Sequence, residues 1–208
     1  MSYIPAVILL MIIYMASLVG FITPHQQAWY LFYTPFFILL NAILLGIYHK
    51  NWNKTTLQYI LWSATIGFLV ELLAVQTGFT YGDYQFGDTL GFSLLGVPLI
   101  MAVYWLVLAY STACLSAKLP VNNSALKIGT GALLMAGLTG LIQQVATPLD
   151  FWSLQGNGSF FRLIGIVFLV GLGLQYLFIR LKVNSKNPIA LYVYGGLALF
   201  FTGLISFL

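Results

Sequence analysis

LQYILWSATIGFLVELLAVQT, residues 57–77, is an unbroken apolar run interrupted by one charge, Glu71. A helix rising about 1.5 Å per residue crosses roughly 30 Å of hydrocarbon in about twenty residues, so the stretch reads as a membrane-spanning helix. Outward from it, Gly/Pro-containing or polar connectors separate further apolar runs at residues 3–22, 29–48, 93–117, 128–146, 160–181 and 188–208. The composition agrees. Of 208 residues, 61% are hydrophobic and 16% aromatic, against only 8 Lys+Arg and 4 Asp+Glu, and the mean hydropathy is +0.95. No soluble domain of this size hides that much apolar surface. The expected fold class is all-α, a polytopic integral membrane helix bundle of about seven transmembrane helices, in a single domain over residues 1–208. The first run lacks a basic start and an evident small-residue cleavage site, so it reads as a span and not as a removed leader. Cys114 is the only cysteine, which excludes a disulfide scaffold.

The net charge of +4 does not describe a nucleic-acid binder, because the cations flank apolar runs instead of forming a stripe. Lys50, Lys54, Lys118, Lys127, Arg180, Lys182 and Lys186 all fall on one face. The positive-inside rule makes that face cytoplasmic in a cytoplasmic (inner) membrane, with the N-terminus cytoplasmic and the C-terminus outside. Glu71, Asp83, Asp88, Asp150 and the remaining Arg162 fall in the opposite half. For Asp88 and Asp150 this is equally well explained by acids collecting where basic loops are not selected.

Glu71 is different. Counted from Leu57 it lies about 20 Å from the cytoplasmic end, still within hydrocarbon, where an ionisable group is costly unless partnered. Steps of three and four residues place Ala64, Gly67, Glu71, Ala74 and Gly78 on one face, and small residues there let a neighbouring helix come close. Gly137, Gly140, Gln144 and Thr147 form a similar face on the fifth span, with Gln143 beside them, so the third and fifth spans are expected to meet. Gln144 there either bonds helices together or takes part in chemistry.

The connectors opposite the basic face are aromatic. GFTYGDYQFGDTLGFSLLGVP, residues 78–98, carries Tyr81, Tyr84, Phe86 and Phe92 with Asp83 and Asp88, and TPLDFWSLQGNGS, residues 147–159, carries Asp150, Phe151 and Trp152. They form either an interfacial aromatic belt or the roof of a cavity. Several membrane chemistries are excluded. His25 and His49 are too few, and too far apart, for a di-iron centre. Asp83 and Asp88 lack the cations that a magnesium diphosphate site needs. No lysine in residues 188–208 can form a retinal Schiff base, and the glycines at 129–137 do not match a dinucleotide fingerprint. What remains is acid–base chemistry by carboxylates. A buried glutamate suits it, since desolvation favours the neutral acid and leaves a proton to donate.

Glu71, Gly78, Tyr81-Gly82, Tyr84, Phe86, Leu90-Gly91, Leu95-Gly96-Val97-Pro98 and Trp105 resemble the E…G…(F/Y)G-x-Y-x-(Y/F)…LG…GVP…W signature of the multi-pass carotenoid biosynthesis proteins. The resemblance is to the carotenoid 1,2-hydratase type, similar to bisanhydrobacterioruberin and gamma-carotene hydratases. It covers the third and fourth spans. A second signature, Asp-Pro followed by Trp, is partly echoed by Thr147-Pro148 and Trp152; Thr147 stands where an aspartate is expected, and Asp150 is the nearby substitute. The resemblance implies cofactor-free addition of water across the terminal C1–C2 double bond of an acyclic carotenoid end, with no metal, a lipophilic carotenoid and membrane lipid as partners, and no nucleic acid. On that basis Glu71, Asp83 and Asp150 are the candidate catalytic acids: Glu71 protonates C2, and a water near Asp83 captures the cation. Tyr81, Tyr84, Phe86, Trp105, Gln144 and Trp152 are the candidate substrate contacts. Two alternatives share the buried acid, a carotenoid cyclase and a transporter or channel in which Glu71 relays a proton or ion.

Overall fold

Asn53 starts the helix that contains Glu71: its side chain accepts a hydrogen bond from Thr56 N at 2.8 Å, and Gly78 closes the helix at a left-handed φ of 62°. This is α3 (Lys54–Thr77). In the computed structural model, which describes residues 2–207, six further helices accompany it: α1 (Ile4–Ile22), α2 (Pro24–Ile47), α4 (Ile100–Ser116), α5 (Ser124–Ala146), α6 (Phe160–Arg180) and α7 (Ile189–Ile205). Short strands β1 (Asp83–Phe86), β2 (Ser93–Leu94), β3 (Val97–Pro98) and β4 (Trp152–Gln155) lie in the connectors.

The bundle is inside-out. Ile4, Ile8, Ile12 and Met15 of α1 and Phe32, Phe36, Ile43 and Ile47 of α2 are exposed, whereas Ser17, Asn41, Ser63, Glu71, Thr112 and Gln175 are buried. A lipid-solvated bundle has this distribution, because lipid tails accept apolar side chains while polar ones must find partners inside. Gln175 is an instance: its amide donates to Ala109 O at 3.1 Å and to Thr112 Oγ1 at 2.9 Å, tying α6 to α4.

Five helices, α1, α2, α3, α5 and α6, are long and apolar enough to cross a membrane; α4 and α7 have 17 residues each. At about 1.5 Å per residue those two reach roughly 25 Å, at the lower limit for a crossing. The expectation of about seven full spans is corrected to that extent. The shortfall in α4 has a local cause. Residues 93–98, expected to be its first turns, form a hairpin in which β2 pairs with β3 through Leu95 (φ 53°) and Gly96 (φ 80°), the paired positive φ values of a type I′ turn. The last expected span ends at Leu208, which lies outside the described residues.

α4 is the axis of the bundle, packing against α2, α3, α5, α6 and α7. It therefore separates α3 from α5, which were expected to meet. Gly137 and Gln144 face outward, and nothing lies within 4 Å of a Cβ placed on Gly137. The close face of α5 is the other one: Gly131 leaves room for Gln175, and Ala132 and Met135 meet Gly171 of α6.

Candidate active site

Gly67 lies one turn before Glu71 on the face that α3 turns to α4, and any Cβ there would overlap the Trp105 ring. The missing side chain lets the indole sit flat against α3. From that seat Trp105 Nε1 donates to Glu71 Oε1 at 2.9 Å. Both residues are sealed off, at 3% exposure for Glu71 and 1% for Trp105.

Glu71 lies near the α3 end that carries the aromatic connectors, which pair into one roof. β1 runs antiparallel to β4, with Tyr84 opposite Leu154 and Phe86 opposite Trp152. Side chains alternate along a strand, so Tyr84 is buried while Asp83 and Gln85 are exposed. Beneath the roof, Tyr81 and Tyr84 stack edge to face at 4.9 Å between centroids, Tyr84 and Phe86 at 5.0 Å, and Trp152 lies 6.5 Å from Tyr84. Gln143 fixes the Trp152 ring by accepting its Nε1–H at 2.7 Å.

The Tyr81 and Tyr84 hydroxyls face the Glu71 carboxyl, yet neither closes a well-formed hydrogen bond on it. Glu71 Oε2 and the Tyr81 hydroxyl are both buried without a partner. Burial holds both phenols well above the usual tyrosine range. They remain proton donors throughout the physiological pH range. Unpaired buried groups are few in folded proteins and cost about 1–3 kcal/mol each, so the acid oxygen and the phenol facing it are the candidate reactive pair of the cluster.

The expected site residues separate into two groups. Glu71, Tyr81, Tyr84, Phe86, Trp105 and Trp152 come together. Asp83, Asp150 and Gln144 do not. Asp83 is exposed, and its Oδ2 accepts Asn157 N at 3.1 Å, holding the turn after β4. Asp150, at a positive φ of 54°, accepts Asp88 N through Oδ2 at 2.8 Å and so clips the two connectors together. Gln144 is exposed; its neighbour Gln143 is the one that faces the site. Tyr104 was not anticipated: its hydroxyl pairs with Thr139 Oγ1 at 3.3 Å, and it belongs to the same electrostatic cluster as Glu71. Its position directly before Trp105 on α4 was the available signal.

A cavity of about 80 Å³ adjoins this cluster. Tyr104, Trp152 and Phe151 line it with Phe37, Phe200 and Phe201, and its walls are almost entirely apolar. An open groove of about 570 Å³ runs between Leu31–Phe36 of α2 and Asp88–Phe92 of the connector, and Leu90 forms a wall of both. Among the described residues, no three His, Cys, Asp or Glu side chains gather where they could hold a metal ion.

A protein-family model described as "Carotenoid biosynthesis protein" matches residues 33–166, more than half of the chain and the whole of this cluster. No curated protein and no solved structure matches it.

Proposed function

The chain belongs to the carotenoid biosynthesis protein family, and from that premise we propose that it hydrates the terminal C1–C2 double bond of an acyclic carotenoid end, with Glu71 as the acid. The observation that carries the reading is the split environment of the carboxyl group. Trp105 donates to Oε1 and so makes it the carbonyl-like oxygen, which leaves the proton on Oε2, the oxygen with no protein partner. That proton passes to C2, and a tertiary cation forms at C1. The faces of Tyr81, Tyr84 and Trp152 stabilise it at roughly 0.5–2 kcal/mol each. Water held by the Tyr81 hydroxyl adds to C1 and returns a proton to the carboxylate. One water is consumed, and the acid is restored without any cofactor.

The polyene enters sideways from lipid through the α2 groove and passes Leu90. At about 80 Å³ the inner cavity is smaller than the roughly 150 Å³ that admits a benzene-sized guest, so the phenylalanine walls must turn aside as the end group arrives. Orientation follows the positive-inside rule: Lys50, Lys118 and Lys186, which line one groove, face the cytoplasm of a cell whose inner membrane holds the protein, and Glu71 sits in the outer leaflet.

Cells that accumulate lycopene or gamma-carotene should yield pigment heavier by one water when the chain is expressed. Unchanged pigment with the protein present in the membrane contradicts the proposal. Asp83→Asn keeps the acceptor for Asn157 N, so stability should change by no more than about 0.5 kcal/mol and conversion should persist; loss of conversion in that variant would restore Asp83 to the mechanism.

A second reading has its own support. The almost entirely apolar cavity walls suit capture of the cation by an internal double bond, which is cyclisation after the same protonation. Mass separates the two, since a cyclised product is isomeric with its substrate.

A further inference from the structure

The end of the bundle away from Glu71 carries a groove that the chemistry above does not use. It arises from helix packing. α2, α4 and α7 pack on one another, so the residues that follow α2 and α4 and those that precede α7 meet in one place, and each connector brings a lysine: Lys50, Lys118 and Lys186. The groove has a volume of about 590 Å³. At roughly 30 Å³ per water molecule it has space for about twenty waters, ample for a polar headgroup.

Its floor is fixed by buried side chains. Asn187, 1% exposed, donates through Nδ2 to Leu45 O at 2.8 Å and to the Tyr110 hydroxyl at 3.2 Å, and His49 Nδ1 lies 2.6 Å from the same hydroxyl. These bonds clasp the start of α7 to α2 and α4. On the α1 side the Tyr48 hydroxyl donates to Ser2 O at 3.3 Å, and Tyr3 forms the rim.

The charge in the groove is unbalanced. All three lysines are exposed, and no acid among the described residues lines the groove, because Glu71, Asp83, Asp88 and Asp150 all belong to the opposite end. Selection for basic loops does not account for this by itself. That rule asks for cations on one side of the membrane, and Lys54, Lys127, Arg180 and Lys182 satisfy it while staying outside the groove. Beside the lysines the wall turns apolar: Ile47 lines the groove at 62% exposure, and Ile43, one turn earlier on α2, is 56% exposed. Basic pockets at the ends of membrane helices suit lipid headgroups, and an occupant here needs an anionic head and an apolar chain.

We propose that the groove seats one anionic glycerophospholipid, with its phosphodiester among Lys50, Lys118 and Lys186 and an acyl chain along Ile47 and Ile43. A zwitterionic lipid fits less well, since its own ammonium meets three others. The proposal needs only a membrane-embedded bundle and stands apart from the carotenoid reading. A lipid held by three connectors at once ties the ends of α2, α4 and α7 together, so it should also stabilise the folded protein.

The test is native mass spectrometry of the full-length protein in detergent, titrated with phosphatidylglycerol or phosphatidylcholine, with thermal stability followed in parallel. Wild type should bind one phosphatidylglycerol about tenfold or more tighter than phosphatidylcholine, and Lys50→Gln, Lys118→Gln and Lys186→Gln should each weaken it about fivefold. The triple variant should lose the preference and the thermal stabilisation. Lys54→Gln, Arg180→Gln and Lys182→Gln combined remove the same charge from the same end but outside the groove, and should leave affinity within about twofold of wild type, because separated surface charges are screened. Millimolar inorganic phosphate should not displace the lipid. Equal binding of the two lipids by wild type, or equal loss in both triple variants, overturns the proposal. Displacement by inorganic phosphate overturns it too, and would make the groove a site for free phosphate.

Discussion

Glu71→Gln is expected to lower conversion of the carotenoid end by about 10²- to 10⁴-fold, the usual range for removing a general acid, without unfolding the protein. The glutamine amide oxygen can still accept the Trp105 Nε1–H, now 2.9 Å from Glu71 Oε1, so packing between α3 and α4 survives. What disappears is the transferable proton. An amide N–H in the Oε2 position does not protonate an alkene, and the Tyr81 and Tyr84 phenols, held far above their usual range, are much weaker acids than a carboxylic acid. The measurement is product mass per unit of membrane-inserted protein for wild type and variant. Comparable product from both would remove the acid from the mechanism.

Gly67→Ala is expected to be strongly damaging. The added methyl falls on the Trp105 ring, which is 1% exposed and has no room to retreat. Overpacking of this kind costs about 1–3 kcal/mol, and it also turns the indole away from Glu71. Stability and conversion should therefore fall together. Trp105→Phe separates them: the ring keeps the place that Gly67 leaves for it, so most of the stability stays, but it has no N–H to donate to Oε1, so conversion falls. Wild-type conversion by Trp105→Phe would mean that the indole N–H has no part in holding the acid.

The placement of the acid was legible in the sequence because it depends on one helix. Three- and four-residue spacing put Gly67, Glu71 and Ala74 on one face, and the structure buries all three. Trp105 and the roof aromatics followed from the family signature. What the sequence concealed depends on long-range pairing or on a single residue of rotation. The ladder between β1 and β4 joins segments separated by an entire pair of helices, and it directs Asp83 outward by simple strand alternation. Gln143 and Gln144 differ by one position, about 100° around a helix, which is enough to put one against Trp152 and leave the other exposed. The hairpin at residues 93–98 needs Leu95 at a φ of 53°, a conformation that leucine rarely adopts and that apolar patterning reads as helix. Asp150 likewise looked like a spare acid and serves instead as a clip between connectors.

The central claim is that a buried carboxylic acid delivers its proton to carbon. Its most direct test is turnover of an acyclic carotenoid by the purified protein in deuterated water, with the position of the label read by mass spectrometry and nuclear magnetic resonance. The account predicts one deuterium at C2 and a solvent-derived hydroxyl at C1 in wild type, and neither with Glu71→Gln. Hydroxylated product without deuterium at C2, or labelled product formed as readily by Glu71→Gln as by wild type, would contradict it.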